Sequence, residues 1–293
     1  MLSLLLAILS YIIQLLPYCL CRNLAKIIGD LLFYGIRIRR KVVLENLQQA
    51  LGTKYNKKEL CSIARKTYFH YALFLLEFIR LSGQTPEELK KKLYINGMEH
   101  FNLAYSQKRG IVFISGHIGF WELGAAAITS HGYPASVYAR SIHNPAVNRW
   151  INSIRESHNI RIISKRFLLR DIIRELHDEK TVCFLFDQDA GDNGIFVDFL
   201  GRPASTYKGP AFCAIKANSP ILPAFMIHGQ GETYQVFLHP AIYPDLQKPL
   251  NQEMERITRD LSKLLESYVY QYPDQYFWFH RRWKTLQYEF LRK

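Results

Sequence analysis

Ile111-Val112-Phe113-Ile114-Ser115-Gly116-His117-Ile118-Gly119-Phe120-Trp121-Glu122-Leu123-Gly124 is the stretch on which the reading of this chain turns. Four consecutive apolar residues follow a Lys108-Arg109-Gly110 turn and end in a glycine-rich exit. A continuous apolar run, without polar alternation, belongs to a strand covered on both faces. Sheets built of such strands bind ligands beyond their carboxyl ends. His117 then stands at the strand exit, and Glu122 falls in the first turns of the next helix. Gly116 and Gly119 leave room there for backbone to approach a ligand. Five residues apart on one helix, the two side chains would point about 140° apart. With His117 still in the turn, the Glu122 carboxylate can reach back to it. A carboxylate that fixes an imidazole's tautomer and stabilises its charged form makes a general base.

The same pattern continues on either side. Ser136–Ala139, Thr181–Phe186, Ile221–Ile227 and Tyr234–Leu238 are further short apolar runs, with helical spacing near 120–130, 145–158, 168–178, 209–217 and 251–271. Strands alternating with helices predict an α/β fold with a mixed, largely parallel central sheet flanked by helices. Upstream, apolar residues recur at helical intervals through 42–81, with Gly52-Thr53 dividing two halves. Thr85-Pro86 reads as a helix cap and first turn.

The amino-terminal segment differs in kind. Met1 to Leu16 carries only Ser3, Ser10 and Gln14 as polar interruptions, Pro17 breaks the run, and Arg22 is the first charge. The stretch to Leu20 or Cys21 just reaches the roughly 20 residues of a spanning helix if Pro17 is a kink near one end. Arg22, Lys26, Arg37, Arg39, Arg40 and Lys41 follow, and positive charge beside an apolar segment stays cytoplasmic. Residues 1–36 are therefore expected to be a membrane anchor that either spans or lies in the bilayer, and residues 37–293 the domain that carries the chemistry.

Composition narrows the partners. The 293 residues carry a formal net charge of +13, which calls for anionic lipid, anionic substrate or nucleic acid. No nucleic-acid module signature is present, so a membrane and an acidic ligand remain. The five cysteines form no paired C-x-x-C set, which argues against zinc. Asp187 and Asp189 at the exit of Thr181–Phe186 line the same crevice by position and could also hold a divalent cation. No Gly-x-Ser-x-Gly elbow is present, which argues against a serine hydrolase, although a His/Glu pair could also direct water at a thioester.

A histidine, four residues and an acid after an apolar strand resemble the signature of the lysophospholipid acyltransferase superfamily, with its glycerolphosphate-acyltransferase-like fold. The Phe-Pro-Glu-Gly-Thr block of the glycerophosphate branch is absent; Phe186-Asp187-Gln188-Asp189 stands in its place. Tyr138-Ala139-Arg140 with Asn144-Pro145 and Arg155, then Val197-Asp198-Phe199-Leu200-Gly201 and Pro203 to Gly209, then Pro273 to Thr285, occur in the same order as in the lipid A late acyltransferases. That resemblance spans nearly the whole chain. It implies transfer of a fatty acyl chain from acyl carrier protein to a hydroxyl of a lipid A precursor, at the cytoplasmic face of the inner membrane, with neither metal nor other cofactor. Acyl-CoA and another glycolipid or lysophospholipid stay open as alternatives. It further implies His117 and Glu122 as the catalytic pair, with Arg140, Asn144, Arg155, Asp187, Gln188 and Arg281 toward the substrates. Arginine forks suit phosphate, and Arg281 suits an acidic carrier.

Overall fold

The computed structural model describes residues 2–139, 141–164 and 169–286. In chain order the helices are α1 (Leu2–Leu15), α2 (Tyr18–Asp30), α3 (Arg40–Leu51), α4 (Lys57–Leu81), α5 (Pro86–Lys92), α6 (Met98–Tyr105), α7 (Leu123–Ser130), α8 (Pro145–Glu156), α9 (Leu169–His177), α10 (Gly209–Ala217) and α11 (Leu250–Gln271). The strands are β1 (Leu93–Asn96), β2 (Ile111–Ser115), β3 (Ala135–Ala139), β4 (Ile160–Ser164), β5 (Thr181–Leu185), β6 (Ile195–Phe199), β7 (Arg202–Thr206), β8 (Ile221–His228) and β9 (Tyr234–Leu238).

Seven strands form one sheet in the order β1-β9-β8-β2-β5-β3-β4. Every neighbouring pair is parallel except β8 with β9. The apolar runs explain the centre: β2 is buried at all five positions and β8 at seven of eight. The sheet is thus mixed and largely parallel, with apolar clusters against both faces. Strands β6 and β7 form a separate antiparallel hairpin. In the short strands β1 and β4 and in this hairpin no apolar run exceeds three residues, and periodicity alone does not reveal them.

Local signals set the helix ends. Thr85 caps α5 with a reciprocal capping box to Glu88, with Pro86 in the first turn. Asn56 does the same for α4 with Glu59, so the 42–81 region divides where a cap forms.

The amino-terminal segment forms no spanning helix: among the described residues no helix is long and apolar enough to cross a membrane. Pro17 ends α1 after 14 residues, about 21 Å at 1.5 Å per residue. Helices α1 and α2 pack on α4, and α1 also on α8. Two of the polar interruptions of α1, Ser10 and Gln14, face the body, while Ser3 is exposed. Ser10 accepts from the Trp150 indole at 2.8 Å, and Gln14 donates to Ser82 at 2.8 Å. The Arg80 guanidinium donates to the Ile13 carbonyl at 3.3 Å and to that of Leu16. The outer face of α1 is aliphatic, with Leu4 66%, Leu5 56%, Ile8 47% and Ile12 51% exposed.

Candidate active site

The register of β2 and β5 builds the site. Ser115 pairs with Leu185 at the carboxyl ends of these parallel neighbours. Two residues further on, His117 and Asp187 emerge at the same level. Asp187 grips the histidine twice: Oδ1 lies 2.7 Å from Nδ1, and Oδ2 accepts the His117 backbone N–H at 3.0 Å. Asp187 is 3% exposed. Burial pushes its carboxyl upward, but the His117 charge and hydrogen bonds outweigh it and hold the group below the usual carboxylate range. An ionised acceptor at Nδ1 makes that nitrogen the N–H donor and puts the lone pair of the neutral ring on Nε2.

Glu122 does not reach back. Both of its oxygens bind Arg155, Oε2 at 2.9 Å from Nε and Oε1 at 2.6 Å from Nη2, in a partly buried fork. The carboxylate on His117 is Asp187, from the neighbouring strand. The same fork engages Arg155, whose Nη1 lies 3.5 Å from Asn152, so its guanidinium faces protein carboxylate rather than open crevice. The pair ties the start of α7 to α8.

The loop carrying His117 is held from behind. Gly119 sits at φ +59, and a Cβ there would overlap the Met226 carbonyl oxygen. Its N–H donates to Gln275 O at 3.0 Å, and Phe120 N donates to Met226 O at 2.8 Å. Phe120 stacks on His228 at 6.3 Å, and the buried His228 pairs with buried Glu77 at 2.7 Å. Phe277 N donates to the His117 carbonyl at 2.9 Å.

The carboxyl-terminal loop supplies the rest. The Asp189 carboxylate receives Thr285 N at 3.2 Å and Thr285 Oγ1 at 3.0 Å, and Asp189 N donates to His280 Nε2 at 2.7 Å. Burial drives the His280 imidazole down to about 4, so it is neutral and able to accept. Arg282 is 3% exposed; it donates to Ser205 O at 2.6 Å and to Thr206 Oγ1 at 2.5 Å, and lies 5.1 Å over the Phe199 ring. Tyr276 is buried against Asp187, and burial raises its hydroxyl well above the ordinary phenol range.

Beside His117 lies a narrow aromatic cleft. Its walls are Tyr71 and Phe74 of α4, Trp121, and Phe277 and Phe279 of the carboxyl-terminal loop. Trp121 meets the His117 ring edge-on at 5.2 Å and stacks on Phe74 at 4.0 Å. Thr67 and His70, on the same α4 face, and Gln275 add polar groups to its lining.

Of the remaining expected residues, Gln188 places its amide nitrogen 3.2 Å from His117 Nε2. Asn144 caps α8, accepting from Ala146 N at 2.9 Å and Val147 N at 3.3 Å. Arg281 is exposed. Arg140 lies outside the described residues. Ser205 and Thr206 provide no cap for α10; Ser205 Oγ donates to Gly191 O at 2.6 Å, and both residues accept from Arg282. His280, Arg282 and Thr285 were not expected at the site. The signal for them was the Phe186-to-Asp189 block and the Pro273-to-Thr285 block, whose contact no local spacing reveals.

Fold and site define a class: an α/β protein in which a buried carboxylate beyond one parallel strand holds a histidine beyond its neighbour. Comparison with known sequences makes the class specific. The chain belongs to the bacterial lipid A biosynthesis acyltransferase family, whose profile matches residues 1–285. It is 26% identical over 280 residues to the lipid A biosynthesis lauroyltransferase of Escherichia coli K12, covering 94% of this chain and 89% of that relative. It is 22% identical to that organism's lipid A biosynthesis palmitoleoyltransferase, covering 92% of this chain and 87% of the relative. A phosphatidylinositol mannoside acyltransferase of Mycobacterium tuberculosis (strain CDC 1551 / Oshkosh) is 26% identical over 175 residues, 57% of this chain and 55% of the relative. The protein is accordingly an O-acyltransferase.

Proposed function

We propose that this enzyme moves a fatty acyl chain from the thioester of acyl carrier protein to a hydroxyl of a lipid A precursor, working at the cytoplasmic face of the inner membrane. The observation that carries the reading is the His117–Asp187 pair, with Nδ1 engaged by the buried carboxylate and the lone pair left on Nε2, beside an aromatic cleft. Relatives named for lauroyl and palmitoleoyl transfer to lipid A support the acceptor. The net charge of +13 suits both an acidic carrier and a phosphorylated lipid.

In this reading the acyl chain lies along the Tyr71–Phe74–Trp121 wall, and the thioester carbonyl meets the acceptor hydroxyl above His117. His117 Nε2 takes the hydroxyl proton as oxygen bonds to the carbonyl carbon, and Asp187 stabilises the imidazolium. Collapse of the tetrahedral intermediate breaks the carbon–sulfur bond. The departing thiolate takes the proton back from Nε2 and leaves as a thiol. Glu122 and Arg155 fix the α7–α8 wall. A polar-in, aliphatic-out α1, followed by exposed Arg22, Lys26, Arg37 and Lys41, suits a helix lying in the interface with its basic neighbours among anionic headgroups.

A second reading replaces the acceptor with another glycolipid, which the mycobacterial relatives' names favour. Detergent-purified enzyme, given a tetra-acylated lipid A precursor and carrier protein loaded with C12, C14 or C16 chains, decides by product mass. One added acyl group, abolished by His117→Ala and reduced by about 10³-fold or more in Asp187→Asn, is the expected result. Acyl transfer only to a phosphatidylinositol mannoside or lysophospholipid would transfer the assignment to the second reading. Free fatty acid alone would make the enzyme a thioesterase.

A further inference from the structure

Gln188 sits between two strongly held carboxylates. Asp187 is fixed by His117, and Asp189 by Thr285 and His280. The backbone of Gln188 is therefore anchored on both sides. Among the described residues its side chain is hydrogen-bonded to His117, through a contact of 3.2 Å between the amide nitrogen and Nε2. Because Asp187 makes Nδ1 the donor, Nε2 carries the lone pair and the amide N–H must be the donor to it. The amide thus occupies the point at which the acceptor hydroxyl has to present its proton.

We propose that Gln188 is a catalytic residue with two successive partners: its amide covers the His117 lone pair in the free enzyme, then yields to the acceptor hydroxyl and donates to the thioester oxygen. The inference rests on the acyl-transfer reading above. Chemistry requires the displacement, since the hydroxyl proton must reach Nε2. Geometry limits where the amide goes. Its anchored backbone and three side-chain torsions keep it within a few ångströms of the reacting carbon, where a neutral donor is needed as the carbonyl π pair moves onto oxygen. No proton leaves the amide; it stabilises the oxyanion until the carbon–sulfur bond breaks. The covered state also keeps the base from activating water while no acceptor is bound.

Gln188→Met keeps the length of the side chain and removes the donor. With saturating carrier-linked substrate its kcat should fall about 100-fold or more, the loss typical of one oxyanion donor, while KM for either substrate stays within about threefold. Gln188→Asn, which keeps a shorter amide, should recover part of that loss. In the free protein, diethyl pyrocarbonate should modify His117 faster in Gln188→Met than in wild type, read by peptide mass. Wild-type kcat in the Met variant would overturn the oxyanion role, and equal modification rates would overturn the covering role. Should the wild-type protein turn over no acyl thioester, the functional reading fails, and the modification rates alone decide whether Gln188 shields His117.

Discussion

At the residue scale, the site's chemistry depends on which carboxylate holds the histidine. Glu122 is adjacent in sequence, yet it is bound to Arg155, and Asp187 takes the role from 70 residues away. The sequence put His117 at the exit of an apolar strand, where it stands two residues past the end of β2. It did not show Asp187 as the partner, because the pairing depends on the register of β2 against β5. Register is a property of two strands together and has no signature in either alone. His280 gives this scale its pH prediction. Its folded-state value near 4 lies below the unfolded value of about 6.5, so the unfolded chain binds more protons between those limits. Stability from this group is complete above pH 6.5 and is lost as pH falls toward 4. The unfolding temperature should drop across that window, and His280→Gln, which keeps an acceptor for Asp189 N, should flatten the drop. An equal slope in both proteins would assign the acid sensitivity elsewhere.

At the scale of elements, the helices and central strands were legible because each has its own periodicity or cap. The predicted strand runs match β2, β3, β5, β8 and β9, and the predicted helical stretches match α7 to α11 within a few residues. The β6–β7 hairpin was not legible; its five-residue strands are broken by Asp198 and Pro203. The Glu77–His228 pair shows how elements support the site from a distance. It joins α4 to β8 with both groups almost fully buried, and Phe120 of the His117 loop stacks directly on His228. Removing one partner leaves the other polar group buried without it, which costs about 1–3 kcal/mol. His228→Leu should therefore lower stability by that order in denaturant titration, with a loss of activity from the displaced loop. The double variant Glu77→Leu/His228→Leu should recover most of the stability. A double variant as unstable as the single one would show that packing, not charge, holds this contact.

For the whole molecule, the unusual feature is a first helix turned inside out. Ser10 and Gln14 dock it on the body, while Leu4, Leu5, Ile8 and Ile12 face outward. Exposed apolar area on that scale calls for a partner, which on the reading proposed above is a bilayer surface beside the basic neighbours of α1. Replacing Leu4, Leu5, Ile8 and Ile12 together by Gln should abolish co-flotation with anionic vesicles. Because those side chains are exposed, the thermal unfolding midpoint in detergent should hardly move. Undiminished flotation would place the membrane contact on another face.

The loop from Pro273 to Thr285 has a consequence in time as well as space. Asn46 of α3 donates to the carbonyls of Trp278 and His280 at 2.8 and 2.7 Å, Arg39 donates to that of Phe279 at 2.9 Å, and Thr285 clamps Asp189. Early and middle parts of the chain thus wait for a segment translated after them. Until residue 285 has left the ribosome, His117 has a strand behind it but no finished pocket, so the cleft beside it is the last part of the fold to be completed.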